Sequence, residues 1–216
     1  MPLDTPAQRR TATRKRPGRE RIMHAIRAAA IAEFSLRGFK GATTQDIARR
    51  AGLTKPQLHY YIAGKDELYQ ELLRDVLNGW SAGFIFESDE HDAATVLREY
   101  IRKKLEYALD NPDVSRIFTR EIMDGGPNLG DYWPHAVASI RHKVERIERW
   151  IAQGQIRPLD ARMFLMHIWA MTQHYADYET QVRVMLGCAA PQPLAREPIV
   201  HELTELVLRG AGVAPK

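Results

Sequence analysis

The chain is poor in the features that most enzymes and secreted proteins depend on. Its single cysteine, Cys188, excludes an intrachain disulfide and fits a reducing compartment; it reads as a loop residue, not a nucleophile. No apolar run approaches the roughly 20 residues of a membrane span. The N-terminus is basic but lacks the apolar core of a signal peptide, so a soluble, cytoplasmic protein without a membrane partner is expected. There is no HExxH, no close Cys/His cluster, no nucleophile motif and no glycine-rich phosphate loop. His167 and His174 lie on one helical face with Asp177 near, yet nothing completes a metal site around them. Neither a metal nor a cofactor is expected, and the enzyme class falls away. Strand patterning is also missing, which leaves an all-α fold.

What is present is charge, unevenly placed. Residues 1–65 hold 14 Lys/Arg against 4 Asp/Glu, whereas residues 66–216 hold 17 against 23. The overall +4 therefore conceals a basic headpiece on an acidic body. Such asymmetry suits a polyanion bound at one end, because neutralising phosphates releases counterions. At 216 residues and 44% hydrophobic, the chain can bury one sizeable core plus a small satellite. Residues 1–18, with Arg9, Arg10, Arg14, Lys15 and Arg16 among Pro, Thr and Gly, read as a disordered basic arm. Both a minor-groove arm and a solvated tail are compatible with that composition.

Residues 43–68 carry the densest information. Thr44 is read as the N-cap of a short helix whose apolar groups are Ile47, Ala48 and Ala51. Gly52 supplies the left-handed residue that stops it. Thr54 caps the next helix, with Gln57 three residues on as in a capping box and Pro56 in the first turn. This is a helix-turn-helix, with the second helix placed for the DNA major groove.

Around it, apolar spacing predicts further helices. The first runs from about Arg19 to Arg37 on Ile22, Ile26, Ala29, Ala30 and Phe34, and Gly38 ends it. A long helix from about Lys65 to Phe86, on Leu68, Leu72, Leu73 and Val76, links headpiece (19–65) to body (66–216). The body continues with helices over about 93–110, from Pro112 to about Met123, 133–153, from Asp160 onward, and 197–209. In the 133–153 helix Val137, Ile140, Val144, Ile147 and Ile151 form the inner stripe. Arg141, Lys143, Glu145, Arg146, Glu148 and Arg149 are expected to form a solvated face. Met163 to Met171 is apolar nearly all round, which points to burial by a second subunit in a homodimer.

The string over 43–68, with Ile47-Ala48-x-x-Ala51-Gly52-Leu53-Thr54 and Lys65-x-x-Leu68 at its centre, resembles the TetR family of one-component transcriptional regulators. The likeness covers about residues 20–75; His59 stands where the family often has Tyr, and Ile62 where it usually has Phe. Membership implies an all-α homodimer with a three-helix DNA-binding domain and a C-terminal domain for ligand and dimer contacts. Glu99-Tyr100-Ile101-Arg102-x-Lys104-Leu105-Glu106, Ser115-Arg116-x-Phe118, Gly126-Pro127 and Ile168-Trp169-Ala170-x-Thr172-Gln173-His174-Tyr175-Ala176-Asp177 resemble the pyrimidine-utilisation regulators within that family.

Lys55, Pro56 and Gln57 lie in the first turn of the recognition helix, where base edges are reached. Lys donates to guanine and Gln pairs with adenine. Gln57 serves equally as the partner of Thr54. By resemblance, Gln45 is a base-contact position, and Thr44, His59, Tyr61 and Lys65 contact phosphate; Tyr60 is either a phosphate contact or core. In the body, Trp80, Phe84, Arg120, Trp133, Trp169, Gln173 and His174 are the candidate pocket for a small-molecule effector. Aromatic walls with an amide suit a flat heterocycle such as a nucleobase, although a helical Trp is also ordinary core and His174 can serve a dimer contact. The expected function is a ligand-responsive regulator, most simply a repressor, on a palindromic double-stranded DNA operator. A ligand-independent architectural DNA-binding protein is the alternative.

Overall fold

A computed structural model describes residues 17–86, 92–189 and 192–213; the expected basic arm lies almost wholly outside them. Among the described residues every regular element is a helix. The headpiece is built from α1 (Pro17–Gly41), α2 (Thr44–Arg50) and α3 (Lys55–His59), followed by the connecting α4 (Lys65–Gly83). The remaining elements are α5 (Ala93–Asp110), α6 (Pro112–Met123), α7 (Trp133–Ala152), α8 (Ala161–Asp177), α9 (Glu179–Met185) and α10 (Arg196–Gly210).

Local chemistry sets the headpiece boundaries. Gly38, at φ 69° and ψ 173°, breaks α1, and its carbonyl accepts from Ala42 N at 3.1 Å. The cap of α2 is Thr43, not Thr44: Thr43 Oγ1 accepts from Asp46 N at 3.1 Å and donates to the Asp46 carboxylate at 2.7 Å. Asp46 sits three residues after Thr43, so the earlier threonine wins the capping geometry and Thr44 becomes the first helical residue. At the other end, Leu53 N bonds Ala48 O at 2.8 Å and Gly52 N bonds Arg49 O at 3.2 Å, with Gly52 at φ 71°. That pair of bonds is a Schellman stop, and it closes the turn between α2 and α3.

Two apolar clusters result. One joins Ile26, Ala30, Phe34, Ile47, Ala48 and Leu58 of the headpiece to Leu68, Leu72, Leu73 and Leu77 of α4 and to Ile117 of α6. The other gathers α5, α7, α8 and α10 around Leu97, Ile101, Leu105, Ile147, Leu165, Ile168, Val200 and Leu203. Each large side chain so buried contributes about 1.5–3 kcal/mol. Because α4 supplies residues to the first cluster and its far end packs on the second, it spans both.

Three expectations about the body change. The connecting helix ends at Gly83 instead of Phe86. A short helix, α9, follows Asp177 where none was expected. On α7, Lys143 and Arg146 are 8% and 7% exposed, so the face is not uniformly solvated, whereas Val137 is 56% exposed. Lys143 and Arg146 share the side of α7 that carries Ile147 and Trp150, and their long stems cover apolar surface while only the heads are polar. Ala136 takes the inward position at the start of the helix that Val137 was expected to share.

Candidate DNA-binding surface and interior aromatic site

The short α3 is anchored by one side chain and presents nearly all the others. Leu58 is fully buried; Thr54, Lys55, Pro56, Gln57, His59 and Tyr60 are exposed. Tyr60 is 74% exposed and stands edge-on to the half-buried Tyr61, which places it outside the core. Arg19 lies over the other ring, 5.5 Å from the Tyr61 centroid. Gln45 is exposed and Thr44 half-buried at the start of α2.

Two of these residues have structural duties. Gln57 Oε1 accepts from Thr54 N at 2.8 Å, completing the capping box. Lys65 donates to the carbonyls of Phe39 at 2.9 Å and Ala42 at 3.2 Å, with its ammonium 4.5 Å from the Phe39 ring centroid. It pins the start of α4 to the end of α1, and two of its three N–H donors are spent there.

Ion pairs hold α1 and α2 together beneath the surface. The buried Glu33 carboxylate accepts from Arg50 at 2.8 Å and lies 3.3 Å from Arg37. Asp46 is paired with Arg37 and Arg49, and the Thr43 hydrogen bond with those two guanidinium groups keeps its carboxyl below the usual range.

In the body, Trp80 and Phe84 from the end of α4 meet Tyr107 of α5 and Phe118 of α6. Trp80 packs edge-to-face on Phe118 at 4.7 Å, and Phe84 on Tyr107 at 5.5 Å. Trp169 joins from α8, donating to Tyr100 Oη at 2.8 Å. Lys104 extends among these rings: its ammonium is 4.5 Å from Phe84, 5.9 Å from Trp80 and 6.0 Å from both Tyr100 and Trp169. Gln173, one turn beyond Trp169, is half-buried and makes no side-chain hydrogen bond among the described residues.

The structure thus brings together Trp80, Phe84 and Trp169, with Gln173 adjacent. It places the other pocket candidates elsewhere. Arg120 lies at the headpiece–body junction, donating to Phe34 O at 3.4 Å beside a cleft of about 160 Å³. Trp133 is 44% exposed against the Gly126 turn. His174 is exposed and stacks on Tyr178 at 5.0 Å. Tyr100, Lys104 and Phe118, met only within the resemblance strings, and Tyr107 were not among the pocket candidates; the spacing Tyr100–Lys104–Tyr107 on one face of α5 was the available signal.

A polar junction connects this site to the headpiece through α6. Asp177 of α8 accepts from Ser115 at 2.6 Å and Thr119 at 2.7 Å. Ser35 of α1 donates to Asp113 at 2.8 Å, and Tyr69 of α4 donates to Glu121 at 3.0 Å. Burial first, and the Glu121 charge second, push the Tyr69 phenol well above its ordinary value.

Comparisons with known proteins agree with this architecture. Residues 26–72 match the family model for bacterial regulatory proteins of the tetR family, and residues 73–214 match the C-terminal region of YcdC-like proteins. The HTH-type transcriptional regulator RutR of Escherichia coli (strain K12) is 34% identical over 187 residues, covering 86% of this chain and 88% of the relative. The HTH-type transcriptional repressor KstR2 of Mycobacterium tuberculosis is 24% identical over 156 residues, covering 60% of this chain and 78% of that protein. In structure, a tetR-family regulatory protein from Rhodococcus RHA1 superposes with a TM-score of 0.73 at 18% identity, covering 90% of this chain and 98% of the other. KstR2 superposes at 0.72 with 22% identity over 88% and 94% of the two chains. The chain belongs to the TetR family of bacterial regulatory proteins and is a DNA-binding transcriptional regulator.

Proposed function

We propose that this regulator is a cytoplasmic homodimeric repressor that binds a palindromic operator and responds to a pyrimidine or related flat heterocycle. The observation that carries the reading is the path of α4. Its first residue, Lys65, is pinned to α1, and its last turns place Trp80 and Phe84 in the aromatic cluster. A ligand that prefers one arrangement of those rings changes the tilt of α4 and hence the position of α3; the coupling usual for such a link is about 1–3 kcal/mol.

On the DNA side, Lys55, Gln57 and Gln45 read base edges, with Thr54 and Pro56 setting the start of α3. Thr44, His59, Tyr60 and Tyr61 contact phosphates, and Lys65 offers its remaining donor. Residues 19–65 form the DNA-binding unit and residues 66–216 the ligand and dimer unit. Support for the homodimer comes from large apolar side chains left bare on α8 and α10, with Met163 58%, Met166 53% and Leu206 61% exposed. Such side chains are the kind of surface a second copy covers. A two-fold pair would set recognition helices about 34–36 Å apart, one turn of DNA.

An architectural protein without a ligand would have no use for an aromatic cluster with a lysine at its centre, tied to the headpiece by α4. The test is an operator titration with uracil and thymine. Loss or gain of operator affinity on ligand addition supports the reading; unchanged affinity and melting temperature for every heterocycle tried removes the effector and leaves the DNA-binding assignment standing.

A further inference from the structure

Lys104 is an unusual residue to find among Trp80, Phe84, Tyr100 and Trp169. A lysine that only fills space runs its stem along apolar surface and releases its charge to water. Lys104 is half-buried, its ammonium stays among the rings, and no described carboxylate pairs with it. Lys143 of α7 has a covered stem and donates to Ser139 Oγ at 3.0 Å. It lines an open groove of about 340 Å³ that Phe86, Ser139 and Glu145 also line. Burial, with the nearby Lys143 charge adding to it, lowers Lys104 to about 8.

The other poorly satisfied group in the cluster is also a donor. Trp80 Nε1 is buried with no well-formed hydrogen bond; the Tyr107 hydroxyl lies beside it as a weak acceptor. An ammonium without a described carboxylate and an indole N–H with only a weak acceptor leave the cluster rich in donors and poor in acceptors, an imbalance that an entering anion relieves.

We propose that the aromatic site takes a planar anion, a ring carrying a carboxylate or an equivalently acidic group, with the Lys104 ammonium as its charge partner. This rests on the effector reading above and narrows it by charge. The rings of Trp80, Phe84 and Trp169 select flatness, and Lys104 selects the negative charge. A neutral ring of the same shape leaves the ammonium unpaired and binds more weakly.

The test is calorimetry on the full-length protein at pH 7 with two ring-matched pairs, uracil with orotate and benzamide with benzoate. The expected result is an affinity for the carboxylate at least tenfold above its neutral partner in one pair or both. Lys104→Met should abolish that preference, whereas Arg141→Gln, on the exposed side of α7, should keep it. Tighter binding of the neutral member in every pair that binds, or a preference that survives in Lys104→Met, overturns the anion site while leaving the effector reading intact. Binding of the benzoate pair alone keeps the anion site and removes the pyrimidine. If all four probes fail to bind, both readings fall.

Melting of the ligand-free protein gives a second, independent readout. Lys104→Met should raise the melting temperature, because an unpaired charge gives way to an apolar side chain of similar length. A fall would show that the lysine is held there for cation–π packing alone, and would overturn the proposal.

Discussion

The headpiece and the body treat positive charge in opposite ways. In the headpiece the buried Glu33 and the half-buried Asp46 neutralise Arg37, Arg49 and Arg50 close to the backbone, while Lys55 and His59 face outward. In the body, whose net charge is negative, the half-buried Lys104 holds its ammonium among aromatic rings without a described carboxylate. A cation on the surface waits for an external polyanion and costs little meanwhile. One kept inside costs stability continuously, so it earns its place only through what enters. The difference separates a surface built for a large charged partner from an interior suited to a small one.

The largest expected effect lies at the exposed apolar side chains of α8 and α10. Leu206→Asp should place a charge in the proposed dimer contact at a cost of about 3–5 kcal/mol. Sedimentation should show monomers, with operator affinity falling at least a hundredfold; an unchanged dimer would move the interface elsewhere. Next in size is the clamp between the two regions. Lys65→Ala removes two charge-assisted hydrogen bonds to Phe39 and Ala42 and should lower headpiece stability by about 2 kcal/mol in urea unfolding. Operator and random DNA should be weakened alike. If only operator binding suffers, Lys65 is a base reader after all.

Gln57→Ala sharpens the picture on the DNA side. Loss of the capping-box partner should cost about 0.5–2 kcal/mol of stability. If the Gln57 amide also reaches a base, preference at one position of each half-site should relax by about 1–3 kcal/mol. Stability loss without relaxed preference would leave capping as its whole role.

The smallest effect is a pH slope in the body. Below pH of about 8, Lys104 is charged in both folded and unfolded chains and its burial cost is carried in full. Between about 8 and the ordinary lysine value of 10.5, the folded chain sheds the proton first, so stability rises with pH. Lys143, also lowered by burial, adds in the same direction. Tyr100 and Tyr107, raised by burial, oppose it above about pH 10. Urea midpoints of the wild type and Lys104→Met should converge as pH rises from 7 to 10; parallel curves would contradict the burial of this charge.

Local chemistry was legible in the chain, and long-range chemistry was not. Thr54, Gln57 and Gly52 act on neighbours within a few residues, so their roles follow from spacing. Even there Thr43 and Thr44 are both competent caps, and only the position of Asp46 decides between them. Lys143 and Arg146 defeated the helical pattern because charge was taken to mean solvent, while their stems are apolar. Lys104 offered only the Tyr100–Lys104–Tyr107 spacing within α5, because the other aromatic faces around it come from α4 and α8. Trp80, Phe84 and Trp169 were found because aromatics at helix ends stand out, yet the same reasoning gathered Arg120, Trp133 and His174, which the fold disperses.

The central claim is that occupancy of the interior site and the position of the recognition helix are coupled through α4. It is tested most directly by operator affinity measured with and without saturating ligand, for the wild type and for Trp80→Ala and Gln173→Ala. The account predicts a 5- to 150-fold change in the wild type, the span of about 1–3 kcal/mol of coupling, and no change in either variant. Equal operator affinity for the free and the calorimetrically saturated wild type would contradict it.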